Sequence, residues 1–470
     1  MLERGADGGP MTRRRAAQLG LLTAGLAAGG ALGTSGLARA AAGGLQAASS
    51  ISEFWSANRS IGTPGPVPPP PQPGGGSFYL SPEYTGGAND IMLIYVQNRA
   101  AYATPSVYRP LVGALSPQGE VFDRFLRSYL FLSLHAPSGN RLDNGAPGSV
   151  QSDWQWFLDE TFGTALPALE SALQGVERDL RGGFGEGPGG DSGTGAGGGA
   201  GPVSGTGFAP TPGAGPASGP GAGFLPGGGF GGGRPRPLDV YLMVPYPHDG
   251  VTDKALATPW GSIDGKTMNL SLEADRETVL KWFVQQALER WRAARFQGMR
   301  LLGFYWVRED VVAYHTPEIT ALADFIHPFG LRLLWIPWKG AEWARIWTNF
   351  GFDAAIYQPN YYLYDGLNLG AKHKGLPTTL TWTAQQAEYY HMGIELEFDG
   401  RVLTSSDYQQ RFYHYLAQGR PLGYESPQAV TSIYDGGGTL SQLATDSALY
   451  WLYRDVYLFT KGLPIPPLGQ

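Results

Sequence analysis

Short apolar runs rich in aromatic and β-branched residues recur along the chain, each followed by a stretch whose apolar positions repeat every three to four residues. The strand-like runs are 91–96, 129–134, 240–246, 301–307, 332–338, 353–358, 393–398 and 421–425. Helical periods fall around 118–127, 151–180, 273–296, 317–327, 341–350, 382–391, 405–418 and 440–461. The clearest is 273–296, where Val279, Trp282, Phe283, Ala287 and Trp291 gather near one face. Regular alternation of strand and helix means parallel strands joined by right-handed crossovers, and eight such units close into a barrel more readily than they stack as an open sheet. The expected fold is therefore α/β, a (β/α)8 TIM barrel. No Gly-x-Gly-x-x-Gly turn follows the first strand, which disfavours a dinucleotide-binding sheet.

Two stretches escape this pattern. Residues 11–42 pair Arg13-Arg14 with a weakly apolar Ala/Leu/Gly run and a small-residue site at Ala38-Arg39-Ala40. They predict an export signal of the twin-arginine type over 1–42, delivering a folded protein to the cell envelope or the medium, with no stable membrane insertion after cleavage. A Pro/Gly-rich linker follows over 43–87, then the barrel over 88–462 and a short tail over 463–470. Within the barrel, 182–236 is Gly/Pro-rich and reads as a disordered insertion between the second helix and the third strand.

Composition sharpens this picture. Of 470 residues, 70 are Gly and 37 Pro, yet 12% are aromatic, far too much apolar surface for a disordered polymer. The glycine is segregated, and the aromatic residues belong to the barrel. Charge is sparse at 16% of residues with a net of −6, so neither nucleic acid nor an anionic membrane is an expected partner. The chain has no Cys, which excludes disulfides, thiolate catalysis and zinc–sulfur sites. The seven His residues show no His-x-His or His-Glu-x-x-His spacing, and no Gly-x-Ser-x-Gly elbow occurs. The expected site holds no metal and no cofactor.

In such barrels the chemistry sits at the carboxyl ends of the strands. After the fourth strand comes Arg308-Glu309-Asp310, and alternation sets Gly303, Tyr305, Val307 and Glu309 on one face. Along the seventh, Glu395, Glu397 and Asp399 share one face while Ile394, Leu396 and Phe398 share the other. Acids cannot pack against helices, so all three are expected to point into the barrel mouth. A pair of carboxyls across a polar cleft is the minimal equipment for glycosidic cleavage. Glu309 is the candidate acid/base and Glu397 the candidate nucleophile, with Glu395 deeper as a like-charged neighbour. The structural alternatives are a loop acid at Glu309 and, at Glu397, an ion pair with Arg308 or Lys339. Candidate sugar contacts are Tyr246 and His248 after strand three, Trp338 after strand five, Gln358, Asn360 and Tyr361 after strand six, and Tyr424 and Glu425 after strand eight. The loop 360–365 reads as an aromatic stacking platform.

The run from VYLMVPYPHDG through GFYWVRED, RLLWIPW, DAAIYQPNYY and GIELEFDG resembles a bacterial exported family known as domain-of-unknown-function family 4855, over about 88–462 without the insertion. That resemblance implies a barrel and a link to polysaccharide. Glu on strands four and seven is also the arrangement of the large clan of retaining glycosidases with this fold. Those enzymes usually have Asn before the strand-four acid, where this chain has Arg308. The expected function is an exported glycoside hydrolase acting on an extracellular or envelope polysaccharide or oligosaccharide by a two-carboxylate, retaining mechanism. The alternative is a glycan-binding barrel without turnover. Sugar identity, linkage and oligomeric state are not legible in the sequence.

Overall fold

The fold is that of a computed structural model, which describes residues 78–98, 102–182, 236–251, 259–363 and 377–468. The expected signal at 1–42, most of the 43–87 linker and nearly all of the 182–236 insertion lie outside the described residues.

Eight strands form a closed barrel: β1 Ile91–Tyr95, β2 Ser128–Leu132, β3 Leu238–Val244, β4 Met299–Trp306, β5 Arg332–Trp335, β6 Ala354–Tyr357, β7 Gly393–Glu397 and β8 Thr431–Tyr434. Every neighbouring pair is parallel, and β1 closes the ring by pairing with both β2 and β8. The helices on the outside are α1 Pro105–Val112, α2 Gln151–Glu160, α3 Leu166–Gly182, α4 Glu273–Ala294, α5 Thr316–Ile326, α6 Pro377–Tyr389, α7 Ser406–Leu422, α8 Thr439–Leu443 and α9 Tyr450–Thr460. The strands read as near-continuous apolar runs because one face meets helices and the other the barrel interior. On α4 the expected face, Val279 through Trp291, is buried.

Four elements differ from the pattern in the sequence, each for a local reason. The eighth strand is Thr431–Tyr434, whereas 421–425 is the end of α7 and the turn that Gly423 makes at φ +81°. The helix expected at 118–127 is instead a two-stranded hairpin of Gly113–Leu115 with Val121–Arg124, turned by Gly119 at φ +82°. The helix after β1 is α1, begun by Pro105 in its first turn. The expected 151–180 helix widens into a π segment over Thr161–Ala165 just ahead of Pro167, whose ring clashes with the carbonyl four residues back. The last helix is broken between α8 and α9, where the Asp446 carboxylate takes the Ala448 and Leu449 N–H groups.

Inside the barrel Tyr241, Gly303 and Arg332 stand in register on neighbouring strands. A Cβ on Gly303 would lie 2.0 Å from the Arg332 carbonyl oxygen, so only glycine fits between them. Residues 78–87, inside the stretch read as linker, run across the amino ends of the strands. The Tyr241 hydroxyl donates to Thr85 O at 3.0 Å, Arg332 Nε to Tyr84 O at 3.0 Å and Arg300 Nη2 to Gly86 O at 3.0 Å. The floor of the barrel is thus held by side chains from β3, β4 and β5, and the opposite end carries the mouth.

Candidate active site at the carboxyl end of the barrel

β7 is built to carry acid on one face. Its neighbour Phe398 stacks on Phe412 of α7 with centroids 3.9 Å apart, which turns the even positions toward the helices and the odd ones inward. Glu395 and Glu397 are both fully buried. Glu395 Oε1 accepts from the Ser432 hydroxyl at 3.2 Å, its register partner on β8. Glu397 has a donor on each oxygen: Asn360 Nδ2 at 3.1 Å from Oε1 and the Tyr415 hydroxyl at 2.5 Å from Oε2. Such donors are what make a buried carboxylate tolerable as an anion. Asp399, expected beside them, turns away. It caps the short helix Gly400–Leu403 and holds the Arg401 guanidinium at 2.8 Å, with the Tyr362 hydroxyl at 3.1 Å.

The ends of β4, β5 and β6 continue the barrel order one residue after another. The Glu309 carbonyl accepts from Trp338 N at 3.3 Å, Trp338 bridges Gln358 in parallel register, and Gln358 Nε2 donates to Ile336 O at 2.8 Å. Asn360 follows at φ +51°, a left-handed position that Asn tolerates, and its amide reaches over to Glu397. Glu309, Trp338, Gln358, Asn360 and Glu397 therefore occupy consecutive places on one arc of the rim. Glu309 is buried at its place. Lys339, next to Trp338, is partly buried; burial pushes its ammonium down to about 8, against the opposing pull of the Glu397 charge.

Arg308 faces away from β7. Its Nε donates to Asp310 at 2.8 Å and its Nη1 to the Tyr246 hydroxyl at 2.6 Å, while its carbonyl accepts from Trp335 Nε1 at 2.8 Å. Tyr246 also lies 2.7 Å from His315 Nε2, which lies 2.8 Å from Asp249 Oδ2. Burial lowers the His315 pKa. Tyr246 thus belongs to a buried polar cluster that braces the strand-four tip rather than presenting a ring to the mouth. His248 Nε2 bonds the Arg141 carbonyl at 2.8 Å, joining the loops after β3 and β2.

Three further expectations change. Tyr361 is buried, its hydroxyl 2.7 Å from His414 Nδ1 and its ring against Tyr415, and Tyr362 is buried as well. The described part of the 360–365 loop therefore offers no open stacking face. Tyr424 and Glu425 precede β8 instead of following it, which puts them at the opposite end from the mouth. Tyr424 donates to Tyr415 O at 2.6 Å, and Glu425 pairs with Arg420 at 2.8 Å. The residue the sequence did not reveal is Tyr415 on α7, whose only signal is a phenol on the buried face with Phe412 and Leu416. Among the described residues no group of three or more His, Asp or Glu side chains is placed to hold a metal ion. No described helix is long and apolar enough to cross a membrane.

The model of a family described as a domain of unknown function (DUF4855) matches residues 232–457, a span that contains β3 to β8 and all the rim residues above. No curated protein matches the chain. Two mutant forms of the tryptophan synthase alpha-subunit from the hyperthermophile Pyrococcus furiosus are similar solved structures, at 11% and 10% identity with TM-scores of 0.22 and 0.21. Each match covers 48% of this chain and 88% of the other. A likeness of that size carries no argument; the barrel stands on its own strand order.

Proposed function

We propose, from the match of residues 232–457 to the model of the DUF4855 family and the make-up of the barrel rim, that this protein is a glycoside hydrolase acting on an extracellular or envelope polysaccharide. The observation that carries the reading is Glu397: a fully buried carboxylate at the end of β7, held on both oxygens by hydrogen-bond donors. An acid prepared in this way suits a nucleophile that must stay ionised. In the proposed cycle a Glu397 oxygen attacks the anomeric carbon as the glycosidic C–O bond breaks, and Glu309 gives its proton to the departing oxygen. Water, deprotonated by Glu309, then hydrolyses the glycosyl ester and frees Glu397. The twin-arginine pattern at 11–42 supports an exported location.

The test is hydrolysis of a panel of plant, fungal and bacterial glycans by the full chain and by Glu309→Gln and Glu397→Gln. Loss of roughly a thousandfold or more in kcat in both variants is expected. Wild-type activity in either sinks the assignment. Binding of a glycan with no turnover by any form supports instead the alternative, a glycan-binding barrel.

A further inference from the structure

The Tyr415 hydroxyl has three neighbours. The backbone N–H groups of Tyr361 and Tyr362 donate to it at 3.2 and 3.3 Å, and Glu397 Oε2 lies 2.5 Å away. A phenol oxygen offers one proton and a limited acceptor side. With two amides aimed at the acceptor side, the remaining direction for the proton is toward Glu397. Burial, with the Glu397 charge second, pushes the phenol far above its ordinary value, so the proton stays on Tyr415.

We propose that Tyr415 is a positioning residue whose hydroxyl is fixed by the 361–362 backbone as an obligatory proton donor to Glu397, so that α7 and the loop after β6 together set the acidity and aim of that carboxylate. The inference rests on the reading of Glu397 as the nucleophile, and it deepens that reading by naming what controls it. The other groups around Glu397 are Asn360 on its second oxygen, Lys339 after β5, Glu395 two residues back on its own strand, and Tyr434 opposite it on β8. Asn360 is neutral at every pH, and the Lys339 ammonium and the Glu397 carboxylate attract each other as opposite charges. Glu395 opposes the anion by like charge. Tyr415 is the group whose contribution depends on the direction of a single proton.

The consequence is a measurable titration. A hydrogen bond donated to a carboxylate favours its ionised form, so removing the donor raises the carboxyl midpoint by about one pH unit or more. The experiment uses the full chain labelled with carboxyl-13C glutamate, the Glu397 signal being assigned by its loss in Glu397→Gln. The Glu397 midpoint is expected to rise in Tyr415→Phe. Because Phe also leaves two amide N–H groups without their acceptor, a second form carries 3-fluorotyrosine at position 415. That form keeps every bond while making the hydroxyl a stronger donor, and its Glu397 midpoint is expected to fall. A midpoint unmoved in the fluorotyrosine form overturns the proposal, whether or not Tyr415→Phe folds. The readout needs no turnover. A shifted midpoint in a protein that hydrolyses no glycan sinks the glycosidase reading and leaves this one standing, and hydrolysis with an unmoved midpoint does the reverse.

Discussion

Asn360 Nδ2 lies 3.1 Å from Glu397 Oε1, so an amide two residues beyond a bond to the β5 rim holds an acid on β7. The same amide lies 3.4 Å from Gln358 Oε1, which makes Asn360 the link between the β6 and β7 ends. Its φ of +51° is as important as its side chain, since an Ala there would add backbone strain to the lost bond.

Asn360→Gly separates the two, because Gly accepts that backbone while removing the amide. A bond to a charged group contributes about 1.5–3 kcal/mol, so kcat/KM on the glycan substrate should fall roughly tenfold to a hundredfold. Asn360→Ala should lose as much activity and more thermal stability. Steady-state kinetics beside melting curves check this, and equal melting points for the two variants would remove the backbone argument.

Lys339 gives the barrel mouth a pH signature. Burial holds its folded pKa down at about 8, below the ordinary lysine value of 10.5. Between those values the unfolded chain binds more protons than the folded one, so this lysine makes stability rise as pH climbs from about 8 toward 10.5. Below about 8 the folded state carries the full cost of the partly buried charge. Other groups titrate in that window, which makes the difference between wild type and Lys339→Arg the informative quantity, Arg remaining charged throughout. Wild type should gain about 2 kcal/mol on the variant across the window, measured by denaturant unfolding at a series of pH values. A difference that stays flat with pH shows that the ammonium is not desolvated.

Much of this was legible in the sequence, and the failures are physical. Seven of the eight barrel strands coincide with expected runs, most of them apolar like IMLIY and VYLMV, because a strand buried on both faces is apolar along most of its length. The eighth, Thr431–Tyr434, is four residues long with Thr and Ser in half its positions, so short a run that its pattern does not stand out from the neighbouring PLGYE. Tyr424 and Glu425, which would follow a strand at 421–425, instead precede Thr431–Tyr434 and lie at the amino end of the barrel. The inward face of β7 was readable from alternation, since Glu395 and Glu397 sit on it as expected. Asp399 was not, because it lies past the strand, where its bonds from the Arg401 N–H and guanidinium outweigh alternation. Tyr415 was invisible for another reason: its partner is 18 residues away on a different element, and no spacing rule joins a helix phenol to a strand acid.

Gly303 tests how tightly the barrel interior is made. The nearest atoms to a Cβ there belong to the Arg332 backbone on the adjacent strand, at 2.0 Å for the carbonyl oxygen and 2.7 Å for the nitrogen. Neither can move without breaking the β4–β5 ladder, so Gly303→Ala should cost at least about 3 kcal/mol and the strand pairing above it, including the Glu309 tip. Loss of soluble protein, or a drop in melting temperature far beyond that of a surface Gly→Ala control such as Gly400→Ala, is the expected outcome. No described atom lies within 4 Å of a Cβ at Gly400. A Gly303→Ala protein as stable as that control would show that β4 and β5 do not meet as closely as described.

Trp338 and Tyr361 make the sharpest contrast among the expected sugar contacts. Trp338 is only partly buried and its backbone sits between Glu309 and Gln358, so its ring is the aromatic group on the rim arc with surface left to offer. Tyr361 has spent its surface on α7, through His414 and Tyr415. An aromatic face under a sugar ring contributes about 1 kcal/mol, so Trp338→Ala should raise KM for the glycan several-fold with a smaller change in kcat, the split expected for a group that binds substrate and transition state alike. Tyr361→Phe removes a hydroxyl that bonds His414 and touches no open face; it should lower stability by about 1 kcal/mol and leave KM where it was. If the two effects are exchanged, with Tyr361→Phe altering KM and Trp338→Ala altering only stability, then the 360–365 loop is the stacking platform after all and opens when substrate arrives.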